Sequence, residues 1–315
     1  MSLVANQVAA EVFRGLQEIE YHDRVPLTMI QRVASIQRQN GAKYGPGKGL
    51  LVSAFLPDGS LEAAWMNRLL RLQRALDDRG MVLVLMYFYQ GQDETLRGPD
   101  AIRQAVIKTT DWLVENDCRN VIIEIANEHD VQGWDHVQWI STHMGDLMEL
   151  ARSRFTPGFR LPIGASTSGS MKVFDQVRDH ADLTIIHGNG RSPQEKRRRV
   201  AELAADPKMP GPIFMNEDDN GRESTMANLT AEIASADSVR RSGGSWGYMP
   251  WRQVQMYPFR HYLPADGWKP NDDLPVDRRD QAYFRAVLEH IRKLVIDQGP
   301  GEGSRKKRAT KKSVR

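Results

Sequence analysis

Several features that would point to a particular class of protein are scarce in this sequence. Its 315 residues include a single cysteine, Cys118, which excludes an internal disulfide and a cysteine-based zinc site. The longest unbroken apolar run, residues 81–89, is far too short for a helix that crosses a bilayer. No apolar secretory segment stands near the N-terminus, so the sequence as given predicts a cytoplasmic protein, and a secreted or periplasmic one if its front is truncated.

A strong charge of one sign is also lacking, because 43 Lys and Arg residues face 40 Asp and Glu residues. Seven basic residues and one acid give residues 299–315 a net charge of +6, which leaves −3 for the rest of the chain. A mildly acidic body is not typical of a nucleic-acid-binding domain, so we expect no nucleic-acid partner. The composition predicts one domain over residues 1–298 and a disordered basic tail over residues 299–315.

What the sequence does have is an alternation of short apolar runs with helical patterns. Runs typical of buried parallel strands stand at residues 81–89, 121–126, 161–165, 182–187, 212–216 and 245–250. Helical patterns precede or separate them, near residues 61–79, 100–116, 134–153, 171–179, 193–204, 226–241 and 277–297. Because no glycine fingerprint follows the first run, the pattern favours an α/β fold of the (β/α)8 TIM-barrel type over a dinucleotide-binding sheet.

The start of the chain indicates that this barrel lacks its first strand. Residues 1–19 read as an amphipathic helix, and one further strand is predicted at residues 33–37, although residues 29–36 can also be read as a helix. The six clear strands are then numbers three to eight. An open wall would leave two unpaired strand edges, so pairing of this chain in a homo-oligomer is a further expectation.

Chemistry in such barrels gathers at the carboxyl ends of the strands. Two carboxylates stand there, Glu128 and Glu217, and each directly follows an asparagine. A pair of carboxyl groups across a barrel mouth is the minimum needed to cleave a glycosidic bond. The same rim carries amides, aromatic rings and an imidazole suited to binding a sugar, namely Tyr89, Gln92, Asn127, His187, Asn189, Trp246 and Trp251.

Residues 122–128, Ile-Ile-Glu-Ile-Ala-Asn-Glu, resemble the fourth-strand motif of clan A glycoside hydrolases, in particular cellulase-like family 5 barrels. The resemblance covers roughly residues 33–297 and implies a retaining glycosidase that acts on an oligo- or polysaccharide without a cofactor or metal. It implies that Glu128 is the acid/base and that Glu217, ending the seventh strand, is the nucleophile. It also implies that Asn127 bonds the sugar 2-hydroxyl and that Trp246 or Trp251 stacks under the sugar.

The sequence departs from the family pattern at three points. His129 follows Glu128 where the family usually has proline, and the sixth strand ends in His187-Gly188-Asn189 where the family has His-x-Tyr. No tyrosine that would hold Glu217 is therefore identified. The arginine that such enzymes carry near strand two is not located either, with Arg38 as a weak candidate.

Two further charged features, the single residue Glu124 and a basic run, are interpreted as having no direct part in the chemistry. Glu124 has the same strand parity as Glu128, so it should point into the barrel and need an arginine or lysine partner. The basic run at residues 196–199 is interpreted as a solvated helix face.

Two other functions stay open. A metal-dependent hydrolase on the same barrel would use ligand types found at the strand ends, namely His129, Asp130, His187, Asp218 and Asp219. A barrel that binds carbohydrate without cleaving it is the second alternative.

Overall fold

The computed structural model describes residues 54–89, 96–131, 134, 137–218, 226–248, 283 and 286–293. Short strands alternate with helices through these ranges, as the apolar pattern predicts. The helices are α1 (Ala63–Asp77), α2 (Pro99–Glu115), α3 (Val137–Thr142), α4 (Met144–Arg152), α5 (Asp175–His180), α6 (Pro193–Ala205) and α7 (Met226–Arg241), followed by helical residues 286–293. The strands are β1 (Leu83–Phe88), β2 (Val121–Ala126), β3 (Ile163–Gly164), β4 (Ser166–Thr167), β5 (Thr184–His187), β6 (Ile213–Glu217) and β7 (Gly244–Trp246).

All the paired strands named here run parallel, and their order in space follows their order in the chain. One sheet has the order β1-β2-β3 and the other β4-β5-β6-β7. Only Ala165 separates β3 from β4, so the two sheets continue into each other through one interrupted strand. A strictly sequential order without reversal is the winding of a (β/α) barrel, whereas a doubly wound sheet reverses at a switch point. The fold is therefore α/β of the barrel type, and the described strands do not close into a complete ring.

The interior of the curved sheet is apolar at the amino ends of the strands. Leu183, Ile185 and Phe214 form a buried cluster against which Val84 of β1 and Ile122 of β2 pack. Since β1 and β2 are not sheet neighbours of β5 and β6, this contact shows that the two sheets curve around a common interior. The carboxyl ends of the strands lie beyond this layer, and they frame the candidate site.

A second layer of apolar side chains joins the outer face of the sheets to the helices. One large cluster joins residues of α2 and α4 to β1 and β2, and a second joins residues of α6 and α7 to β6 and β7. Helix α6 begins with a capping box in which the Ser192 side chain accepts from the Glu195 amide and Glu195 bonds back to Ser192, with Pro193 in the first turn. This cap fixes the start of the helix that follows His187 and Asn189.

Several predictions concern residues outside the described ranges. These are the helix at residues 1–19, the strand at residues 33–37, the candidate Arg38 and the tail over residues 299–315. None of the described helices combines the length and the apolar character that a transmembrane span requires.

Candidate active site

Glu128 lies just beyond β2 and has a backbone conformation that residues other than glycine seldom adopt. Its φ angle is +44°, in the left-handed region. Two hydrogen bonds fix this conformation: the Glu128 amide donates to Ser166 Oγ at 2.9 Å, and the Trp134 indole donates to the Glu128 carbonyl oxygen at 3.3 Å. The strained turn leaves the Glu128 side chain 18% exposed. Strain of this kind is concentrated at functional sites.

Glu217 reaches the same place through an irregularity in the pairing of β5 with β6. Ile186 pairs with Met215, but the next residue, His187, pairs with Glu217, so Asn216 is an extra residue in β6. Such a bulge changes the direction of the side chains that follow it. Asn216 and its neighbour Glu217 consequently both contact groups of the barrel interior, although successive side chains of a regular strand alternate.

His187 joins the two glutamates. Its Nδ1 lies 2.9 Å from Glu128 Oε1 and 3.6 Å from Glu217 Oε2, and its side chain is fully buried. One ligand atom from each of the three residues lies within 4.8 Å of the other two. Burial lowers the pKa of His187, but the hydrogen bond with Glu128 and the charges of Glu217 and Glu124 outweigh it, so that the pKa lies above its usual value. When the imidazole carries a proton, its positive charge offsets repulsion within this cluster.

Asn189 holds Glu217 from the other side. Its Nδ2 donates to Glu217 Oε1 at 3.0 Å. Sequence reasoning identified Asn189 as a sugar-binding residue and found none to hold Glu217, because the resemblance leads one to look for a tyrosine at this position. A Cβ at position 188 would lie 2.5 Å from Met215 Sδ and 3.1 Å from Asp218 Oδ1, so a residue larger than Gly188 would require the Met215 side chain to shift.

The other predicted sugar-binding residues are dispersed. Tyr89 follows β1 and is 45% exposed. Asn127 is buried, and its backbone N–H donates to the backbone carbonyl of Phe88 at 3.0 Å. Gln92 and Trp251 lie outside the described residues. Trp246 is 2% exposed, stacks on Tyr248 at 5.9 Å and donates from Nε1 to Asp218 Oδ2 at 2.6 Å. The ring of Trp246 is thus a core element, and it is not at the surface where a sugar was expected to stack on it.

Lys196 corrects a further expectation. The basic run at residues 196–199 was interpreted as solvated, yet the Lys196 side chain is fully buried and its Nζ lies 2.5 Å from Asp218 Oδ1 and 3.1 Å from Ser235 Oγ. The positions of Lys196 and Val200 on the inner face of α6 explain this, because a long stem reaches the interior from there. Since Asp218 follows Glu217 directly, this buried pair anchors the chain just beyond the candidate nucleophile.

Glu124 is buried in the barrel interior, as its strand parity predicts, but its contacts within the described ranges do not include the expected arginine or lysine. Its Oε2 accepts from Asn216 Nδ2 at 2.9 Å. Burial raises the pKa of Glu124 to about 7, and the Glu217 charge adds to this effect, while His187, Ser166 and Asn216 act against it. Within the described ranges, the basic side chain that acts on Glu124 is therefore a histidine, His187, and not the predicted arginine or lysine.

The raised pKa of Glu124 predicts a pH-dependent stability. In the unfolded chain the carboxyl ionises near pH 4.5, whereas in the folded chain it keeps its proton up to about pH 7. Its contribution to the free energy of unfolding is therefore fully present below pH 4.5 and lost as the pH rises to 7, a change of about 3 kcal/mol. Urea unfolding of the wild type and of Glu124→Gln, which cannot ionise, should show this difference between pH 4.5 and 7 and a constant difference above it. A difference that does not vary with pH would contradict the buried protonated carboxyl.

The ligand set of the metal-dependent alternative does not assemble as predicted. The buried His129 ring packs edge-on against Phe174, with 5.4 Å between the ring centroids. Asp130 accepts from the backbone N–H and the hydroxyl of Ser168 at 2.7 and 2.8 Å. Asp218 is occupied by Lys196, and Asp219 lies outside the described residues. Among the described residues, Glu128, His187 and Glu217 form the one group of three acidic, histidine or cysteine side chains close enough to hold a metal ion.

No protein-family model matches the chain, and no curated protein sequence matches it significantly. Similar solved structures include a family 10 endo-β-1,4-xylanase from Gloeophyllum trabeum, 13% identical over 74% of this chain and 81% of that one, with a TM-score of 0.49. A β-glycosidase from Thermosphaera aggregans is 9% identical over 74% of both chains, also at 0.49. An exo-β-1,4-mannosidase from an Opitutaceae bacterium, strain TAV5, is 14% identical over 78% of this chain and 52% of its own, at 0.48. These neighbours are glycoside hydrolases, and the likeness to them is one of fold.

Proposed function

We propose that this protein is a glycoside hydrolase that cleaves β-glycosidic bonds of an oligo- or polysaccharide with retention of configuration. The observation that carries the proposal is the approach of Glu128 and Glu217, whose nearest ligand atoms lie within 4.8 Å of each other. Carboxyl groups about 5–5.5 Å apart allow one of them to attack the sugar directly, whereas inverting enzymes keep them about 6.5–9.5 Å apart to admit water. The short separation therefore favours the retaining reaction.

The contacts of each carboxyl support a division of roles. Glu217 accepts a hydrogen bond from Asn189 Nδ2 at 3.0 Å, and such a bond stabilises the ionised form that a nucleophile needs. Glu128 Oε1 lies 2.9 Å from His187 Nδ1, a hydrogen bond through which a proton can pass when Glu128 changes between acid and base. We assign the nucleophile to Glu217 and the acid/base to Glu128.

The reaction then has two steps. A carboxylate oxygen of Glu217 forms a bond to the anomeric carbon while the glycosidic C–O bond breaks, and the proton of Glu128 passes to the leaving oxygen. In the second step Glu128 takes a proton from water, the water oxygen bonds to the anomeric carbon, and Glu217 is released. Asn127 is proposed to bond the sugar 2-hydroxyl, and the exposed Tyr89 ring offers a surface on which a sugar can stack.

The test is hydrolysis of a panel of aryl β-glycosides and β-linked oligosaccharides, with proton NMR of the first sugar released. We expect at least one substrate to be cleaved and the β-anomer to appear before mutarotation. An α-anomer as first product would overturn the retaining mechanism. Sugar binding without cleavage would replace the proposal by the non-catalytic binding barrel.

A metal-dependent hydrolase is a second candidate, favoured by the three convergent ligand atoms of Glu128, His187 and Glu217. One imidazole and two carboxylates are acceptable zinc ligands. Dialysis against a chelator, followed by readdition of zinc, separates the two candidates. Under our proposal the chelated protein keeps its full activity, and a loss that zinc restores would favour the metal-dependent reaction.

A further inference from the structure

We propose that Glu124 is a positioning residue that holds the two candidate catalytic carboxyls at their working separation. The inference rests on the proposed function, and it adds a residue that does not touch the sugar. Glu124 is fully buried four residues before Glu128, in the layer beneath the two catalytic side chains. Its importance lies in what it binds.

The first link runs from Glu124 to Glu217. Asn216 is the extra residue of the β6 bulge, and its Nδ2 donates to Glu124 Oε2 at 2.9 Å. An extra residue interrupts the regular ladder locally, so its position depends on its side-chain contacts. Because Glu217 is the next residue, the bond from Asn216 to Glu124 fixes the direction in which the Glu217 side chain leaves the strand.

The second link runs from Glu124 to Glu128. Ser166 lies close enough to Glu124 for its side chain to lower the pKa of that carboxyl, and its Oγ accepts from the backbone N–H of Glu128 at 2.9 Å. That amide belongs to the residue with the left-handed φ of +44°. The buried Glu124 carboxyl therefore lies beside Ser166, which holds the strained turn at Glu128, and accepts from Asn216, the bulge residue that precedes Glu217.

A purely space-filling role explains these contacts less well. A carboxyl in the barrel interior loses its hydration, at a cost of several kcal/mol if it is not well paired. The adjacent interior positions are filled by Ile122, Ile185 and Phe214, which carry no such cost. Burial of Glu124 costs stability, yet Glu124 contacts the two residues that position Glu128 and Glu217, namely Ser166 and Asn216. This is typical of a site in which geometry is maintained at the expense of stability.

The test compares Glu124→Leu, which removes the acceptor, with Glu124→Gln, whose side-chain oxygen can still accept from Asn216. We expect Glu124→Leu to lower kcat by roughly 10- to 100-fold with KM within about 2-fold, since a small misplacement of a reacting group costs this much. Glu124→Gln should recover kcat to within about 3-fold of the wild type. Asn216→Ala should resemble Glu124→Leu, and the double variant should be no slower than either single one, because both remove the same link.

Glu232→Gln is the matched control, since Glu232 is an equally buried glutamate that accepts from the Tyr283 hydroxyl at 3.0 Å, in another part of the barrel. Its kcat should stay unchanged. Unchanged kcat in Glu124→Leu, or Glu124→Gln as slow as Glu124→Leu, would overturn the positioning role. Should Glu124→Leu fail to fold, Asn216→Ala carries the same comparison.

Crystal structures of Glu124→Leu and Glu124→Gln give a readout that needs no turnover. The ligand atoms of Glu128 and Glu217 should move beyond 4.8 Å in the leucine variant and stay within it in the glutamine variant. An unchanged separation in Glu124→Leu would contradict this inference even if the wild type hydrolyses glycosides. Conversely, an inactive wild type with the expected displacement would count against the proposed function alone.

Discussion

Glu217→Gln is expected to lower kcat for an aryl β-glycoside by at least about 10⁴-fold while the protein stays folded. The amide cannot attack the anomeric carbon, so no covalent intermediate forms, and the alternative direct attack by water has no room between carboxyls this close. Glutamine keeps the size of the side chain and can still accept from Asn189 Nδ2. The loss should therefore lie in kcat, and circular dichroism and the melting temperature should resemble those of the wild type.

The control for this prediction is chemical rescue. In Glu217→Gly, a small external anion such as azide can enter the vacated volume and attack from the same side as the missing carboxylate. The product should then be the α-glycosyl azide, which NMR identifies, at a rate that rises with azide concentration. Two results would remove Glu217 from the mechanism. One is activity of Glu217→Gln within 10-fold of the wild type, and the other is a Glu217→Gly variant that is fully active without azide and is not accelerated by it.

Glu128→Gln is expected to give the second-largest loss, of the order of 10²- to 10⁴-fold, with a size that depends on the leaving group. A dinitrophenolate leaves without being protonated, so the first step should be nearly as fast as in the wild type. The second step still needs a base to activate water, and the glycosyl-enzyme should accumulate. Stopped-flow kinetics with a dinitrophenyl glycoside should show a burst of phenolate followed by slow turnover.

Asp130→Asn is the matched control for the second prediction. Asp130 lies two residues beyond Glu128 and is bonded to Ser168, and its carboxyl is not part of the Glu128–His187–Glu217 cluster. We expect kcat to change by less than about 10-fold, without a burst. Equal losses for all leaving groups in Glu128→Gln would indicate that Glu128 has a role other than proton transfer.

Local sequence patterns were sufficient for the fold. The apolar runs predicted the positions of the strands to within a few residues, because a strand buried on both faces must be apolar throughout. The two glutamates and His187 were predicted as candidates because parallel strands in a barrel end at one rim, so that residues far apart in the chain meet there. The structure brings these three side chains together, and their catalytic roles remain proposals.

The features that sequence reasoning missed are contacts between distant segments. The charge run at residues 196–199 looks like a solvated face, and only the pairing with Asp218 shows that Lys196 is buried. An extra residue in β6 leaves no signal in the sequence, yet it aligns Asn216 with Glu124 and Glu217 with His187. The pKa of Glu124 depends on burial and on neighbours that come from three other strands, so no local rule predicts it.

The left-handed backbone at Glu128 has a consequence for the heat resistance of variants. Glycine occupies such a conformation without the penalty of roughly 1–2 kcal/mol that other residues incur, and asparagine tolerates it better than most. Exchange of Glu128 for either residue would remove this backbone penalty together with the carboxyl that hydrogen bonds to His187. The melting temperature of such a variant therefore reports the balance between the relief of the backbone and the loss of that bond.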